Sequence, residues 1–136
     1  MESPARVELT EVAQDLLRNL TSTHGPLMFH QSGGCCDGSS PMCYPAGEFR
    51  VGGQDVKLGE LVVVGIQEPI GFWMSASQFE YWKHTHLTVD VVDGRGGGFS
   101  LESPEGKRFL IRSRMYSDQE WEILENSPVP TGREIN

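Results

Sequence analysis

No cysteine follows Cys43, and all three thiols of the chain lie between Cys35 and Cys43. An odd number of cysteines packed into one short stretch does not make a disulfide framework. No apolar run approaches the roughly eighteen residues that a membrane-spanning helix needs, so no membrane partner is expected. The start, Met1-Glu2-Ser3-Pro4-Ala5-Arg6, has no basic stretch leading into an apolar one. A secretory signal is therefore not expected, and the expectation is a cytoplasmic protein whose thiols stay reduced. Basic residues are also in short supply. Eleven Lys and Arg against 19 Asp and Glu leave a net charge of −8, and the basic residues are scattered. Phosphate binding needs clustered cations, so nucleic acid is excluded as a partner. The glycine run from Gly94 to Gly98 lacks the Gly-x-x-x-x-Gly-Lys-Ser/Thr pattern and no helix is expected after it, which excludes a phosphate-cradling nucleotide loop. There is no nucleophile elbow and no convincing acid pair.

What is present fits one domain of α+β class. The length of 136 residues suffices for a single core without staples. Residues 1–126 form that domain, and 127–136, with Pro128 and Pro130, form a flexible tail. Val7, Leu9, Val12, Ala13, Leu16, Leu17 and Leu20 predict an amphipathic helix over Val7 to Leu20. Pro26 to Gln31 reads as a strand that enters a loop at Ser32-Gly33-Gly34. Glu48 to Val51 is a short strand. Leu61 to Ile66, rich in Val and Leu, predicts a strand buried on both faces. Ile70 to Met74 is another. Ser75 and Gln78 have capping-box spacing and start a short helix through about Lys83. From His86 to Val92 the pattern alternates, with Leu87, Val89 and Val91 on one face and His86, Thr88 and Asp90 on the other. Phe99 to Glu102 and Arg108 to Met115 read as two strands joined by Ser103-Pro104-Glu105-Gly106. Ser117-Asp118 opens a last helix, Gln119 to Glu125.

The chemistry concentrates in Gly33-Gly34-Cys35-Cys36-Asp37-Gly38. Glycines let the backbone turn sharply and approach a ligand closely. A zinc ion or an iron–sulfur cluster commonly takes four ligands and favours thiolates. Cys35, Cys36 and Cys43 offer three, and His30, at the end of the strand feeding the loop, would be the natural nitrogen ligand were Met28 and His30 to face inward. His84 and His86 are one residue apart, a spacing that shares a strand face and suits a metal. Plain alternatives stand beside each reading. Free cysteines are often simply buried, or a glycine-flanked thiol is reactive through a lowered pKa. Asp37 serves a turn, and the histidines serve core or surface hydrogen bonds. Trp73, Phe79, Tyr81 and Trp82 read as core around the inserted helix, with Tyr81 and Trp121 the alternative as a partner surface.

The run His30-Gln31-Ser32-Gly33-Gly34-Cys35-Cys36-Asp37-Gly38, with Pro41-Met42-Cys43-Tyr44 and Gly98-Phe99-Ser100-Leu101-Glu102, resembles an uncharacterised bacterial family. That family is known as domain of unknown function 779 and is also called aldehyde-dehydrogenase-associated. The resemblance covers roughly Val7 to Trp121. It implies an accessory role beside an alcohol or aldehyde dehydrogenase, and the expectation is a protein that is not itself an enzyme. A more distant resemblance is to the A-type iron–sulfur carriers, the HesB/IscA group. It rests on Ser32-Gly33-Gly34-Cys35, Tyr81 to Thr88, and Gly96 to Pro104. It implies a β-rich sandwich with an N-terminal helix, a short inserted helix and a C-terminal helix, with Cys35 at the carriers' first ligand position. Those carriers also use a Cys-x-Cys pair near the C-terminus, which this chain lacks. A homodimer that completes the site from two loops is one way to replace it. The expectation is a protein that binds zinc, iron or an iron–sulfur cluster at the loop, the alternatives being a redox or aldehyde-reactive thiol and a metal-free structural partner.

Overall fold

The computed structural model describes residues 5–31, 39–47, 51–94, 100–127, 129 and 131. The thiol loop at 32–38 lies outside them, as do residues 48–50, 95–99 and most of the C-terminal segment.

The chain opens with a strand, β1 (Val7–Leu9), and only then enters the first helix, α1 (Glu11–His24). This corrects the expectation of one helix from Val7. Val7 and Leu9 are two residues apart, which is the period of a strand, whereas Ala13, Leu16, Leu17 and Leu20 keep the period of a helix. Thr10 stands between them in an extended conformation, and its hydroxyl accepts the Ala13 N–H at 3.2 Å. A side-chain cap of that kind ends the strand and starts the helix in one residue. Ala13, Leu17 and Leu20 carry the helix into the core.

Two mixed sheets follow. The strands are β2 (Leu27–Gln31), β3 (Met42–Pro45), β4 (Val56–Leu61), β5 (Ile70–Met74), β6 (Thr85–Asp93) and β7 (Lys107–Met115). One sheet has the order β1-β6-β7, the other β3-β2-β5-β4. Each contains one parallel pair, β1 with β6 and β2 with β5. The helix α2 (Ala76–Trp82) links β5 to β6, and α3 (Asp118–Leu124) follows β7. The inner faces meet at Phe29 of β2, whose ring lies edge-on to Phe109 of β7 at 4.9 Å. At the margin the sheets approach so closely that a Cβ on Gly59 would lie 3.2 Å from a Val7 methyl.

Four further expectations are corrected. The valine run leaves its strand at Leu61. Leu61 and Val63 are buried, while Val62 and Val64 are 78% and 82% exposed. An edge segment has only one face toward the core, so alternate valines meet water. Residues 100–102 form no strand. β7 pairs instead with β6 along its whole length, from Asp93↔Lys107 to Thr85↔Met115. Ser103–Glu105 form a 3-10 turn, and the Glu102 carboxylate accepts the Phe109 N–H where a strand carbonyl was expected. At α2, Ser75 caps the Gln78 N–H, but the Gln78 side chain accepts from the Trp82 indole at 3.1 Å rather than reciprocating. The reciprocal box occurs at α3, between Ser117 and Glu120. Val51 lies outside any strand.

Candidate functional site

The strands β2 and β3 bracket the thiol loop, and their register decides which donors can meet. Phe29 stands opposite Cys43, and His30 opposite Met42. Directly opposed residues share a face and successive residues alternate. Phe29 and Cys43 therefore point into the space between the sheets, and His30 points out through the other face. Although Cys43 and His30 sit on paired strands, one ion cannot take both.

Cys43 is fully buried. Burial pushes its thiol well above the ordinary range, and the Glu102 carboxylate adds to the effect. Its backbone is tied into a polar relay. The Cys43 N–H donates to the Ser100 hydroxyl at 2.8 Å, Ser100 donates to Glu102, and Leu101 N–H returns to the Cys43 carbonyl at 3.0 Å. Glu102, itself fully buried, also holds the Phe109 N–H at 3.1 Å. The relay joins β3, the 100–102 segment and β7. A thiol so placed stays protonated and packs as a small apolar group.

His30 is only 4% exposed. Its Nε2 lies 3.0 Å from Asp55 Oδ2. The same oxygen accepts the Gly52 N–H at 2.9 Å, and the Asp55 N–H closes the turn on the Gly52 carbonyl at 3.1 Å. The carboxylate is thus fixed before it meets the imidazole. The Nε2–H donates to Asp55, which sets the orientation of the ring. Trp73 of β5 is His30's neighbour in the ladder, and the Lys57 ammonium lies 5.7 Å from its ring centroid. His30 therefore sits mid-sheet among an aromatic, a cation and a held carboxylate, one residue before β2 ends.

The other two histidines are elsewhere. β6 begins at Thr85, so His84 belongs to the turn before it and strand alternation does not bring the pair onto one face. The exposed His84 ring lies tilted against Trp121, with centroids 4.3 Å apart. His86 is buried in the three-stranded sheet, with Nε2 3.5 Å from Glu8 Oε2. Burial and the Arg114 charge depress its pKa, against an opposing pull from Glu8 and Glu120. Cys35 and Cys36 lie outside the described residues. Among the described residues no group of three or more His, Cys, Asp and Glu side chains is placed to hold a metal ion. No described helix is long and apolar enough to cross a membrane.

Asp55, Ser100 and Glu102 carry geometry that the sequence did not announce. Asp55 had one usable signal, its place after Gly52-Gly53, where Asp commonly binds its own turn. Its reach to His30 had none. Residues 16–115 match the family model described as "Domain of unknown function (DUF779)", and the chain belongs to that family. The matched stretch runs from within α1 to the end of β7 and includes the loop with both flanking strands. No curated protein and no solved structure matches the chain.

Proposed function

We propose that the protein binds a metal ion, zinc or iron, or an iron–sulfur cluster at the thiol loop after β2, and that it serves an alcohol or aldehyde dehydrogenase as an accessory protein. The donors are Cys35 and Cys36 from the loop and His30 from the strand that feeds it. Asp55 acts behind His30. Cys43 is left out of the set because it faces the intersheet core, His84 because it lies exposed in the turn before β6, and His86 because it belongs to the other sheet.

The observation that carries the reading is the His30–Asp55 contact of 3.0 Å. A ligating imidazole is commonly held through its second nitrogen by a carboxylate, which fixes its orientation and raises its basicity. Here that arrangement stands at the foot of a loop with two adjacent thiols. Soft thiolates plus one imidazole suit zinc or an iron–sulfur cluster. Three donors leave a place in a four-coordinate site, which a second copy of the loop can fill in a homodimer. The likeness of Ser32 to Cys35 to the first ligand motif of A-type carriers supports the same loop. The dehydrogenase partner rests on the family resemblance.

The test is anaerobic purification without a histidine tag, followed by assay of zinc, iron and labile sulfide. The expected result is near-stoichiometric metal that is lost in Cys35→Ser. Less than about a tenth of an equivalent, unchanged by Cys35→Ser, overturns the reading, because a folded site of this kind retains its metal through purification.

A further inference from the structure

The turn that joins α2 to β6 is ringed by large side chains that the metal reading does not use. Tyr81, on the last turn of α2, is 60% exposed, and Met115, at the end of β7, is 70% exposed. In the turn itself the His84 ring lies tilted against half-buried Trp121 of α3, with centroids 4.3 Å apart. Backbone bonds hold the group together. The Tyr116 N–H donates to the His84 carbonyl at 3.2 Å, and Thr85 pairs with Met115. The Thr85 hydroxyl donates to the Trp82 carbonyl at 2.7 Å, which ties the strand to the helix. Single exposed apolar side chains are ordinary. Two beside one braced turn, with the half-buried Trp121 ring and His84 next to them, make a surface.

The cations around that surface are already engaged, Arg6 among them, whose guanidinium donates to the Leu124 and Ser127 carbonyls at the end of α3 at 3.1 and 3.0 Å. Lys83 is taken up by Glu80 at 2.8 Å, and Arg114 by a two-pronged contact with Glu120 at 2.9 and 3.1 Å. Asp118, Glu122 and Glu125 remain. They follow the spacing that puts residues on one stripe of a helix, beside Trp121. All three are exposed, and among the described residues none of them meets a cation.

We propose that the surface formed by Tyr81, His84, Met115 and Trp121 docks a partner protein through a segment that carries arginine or lysine beside an apolar side chain. The cation packs on exposed Tyr81 or on the open part of Trp121 and faces the three carboxylates. The apolar residue packs on the Met115 thioether, which adapts to varied shapes. A second copy of this chain is disfavoured as the occupant, because the same three carboxylates would face one another at a net charge of −8 per chain. The inference is independent of the metal reading.

Fluorescence anisotropy with a short labelled peptide of alternating Arg and Leu tests it, beside the same peptide with Glu in place of Arg. Saturable binding of the Arg peptide alone is expected. Met115→Glu and the double variant Glu122→Lys/Glu125→Lys each weaken it about tenfold, the scale of a lost interface anchor. Cys35→Ser leaves it unchanged, and so does Glu11→Lys on exposed α1. Absence of saturable binding overturns the proposal. So does equal binding of the Glu peptide, or a loss from Glu11→Lys as large as that from the α3 reversals.

Discussion

Two buried histidines each face a carboxylate, and they are held differently. His30 meets Asp55 at 3.0 Å, and the side chain of that carboxylate is only 18% exposed and pinned by a backbone N–H. His86 meets Glu8 at 3.5 Å, and the Glu8 side chain is 62% exposed. The first contact is a directed hydrogen bond between two fixed groups. The second is a loose electrostatic approach across a strand pair, screened by water on one side. A residue type together with a nearby acid does not define a site. What distinguishes His30 is that its acid was immobilised by its own turn, and that the strand carrying the imidazole runs into the thiol loop.

The largest expected effect breaks the tighter pair. Asp55→Ala leaves the His30 imidazole and the Gly52 N–H without their shared acceptor. Loss of a partner to a buried group costs about 1–3 kcal/mol, which urea denaturation will read as a lower midpoint at unchanged slope. Under the metal reading the same variant weakens zinc affinity by about 10–100-fold, as removal of such a supporting carboxylate does. A stability loss with unaltered metal content would leave Asp55 as a purely structural residue and would remove the main support for His30 as a ligand.

The sequence made half of this comparison legible. The strand from Pro26 to Gln31 was readable because its apolar run ends in glycines, and β2 spans Leu27–Gln31. The helix starts at Ser75 and Ser117 were readable because a cap is a local bond between residues three apart. The α+β class was readable from the mixture of periods. The faces were not. Cys43 and His30 looked like joint ligands because they flank one loop, and only the pairing of Phe29 with Cys43 shows that they point apart. Register of that kind depends on which strands meet, and no local pattern carries it. The Leu61 to Ile66 run failed for a related reason. Composition reports that valines favour a strand, but whether both faces are covered depends on the neighbours of β4, which stands at the edge of its sheet beside β5.

The smaller effects sharpen the looser pair. The His86 pKa is depressed from the ordinary 6.5, chiefly by burial and next by Arg114. The folded state therefore resists the proton that the unfolded chain accepts. The stabilisation is fully present above pH 6.5 and is lost as pH falls from there through the depressed folded value, since the unfolded chain then binds more protons. Urea midpoints measured stepwise on the acid side of neutrality should fall, and His86→Gln should flatten that fall. The groups facing His86 are Glu8 from β1, Arg114 from β7, Tyr116 from the link that follows β7, and Glu120 in the first turn of α3. Of these, Glu8 pulls the pKa upward, so Glu8→Gln should steepen the acid loss slightly. At neutral pH, where His86 is uncharged, it should cost about 0.5 kcal/mol or less, as expected for an exposed partner. A neutral-pH loss as large as that of Asp55→Ala would erase the distinction between the two pairs, and His86 would then have to be treated as held no less firmly than His30.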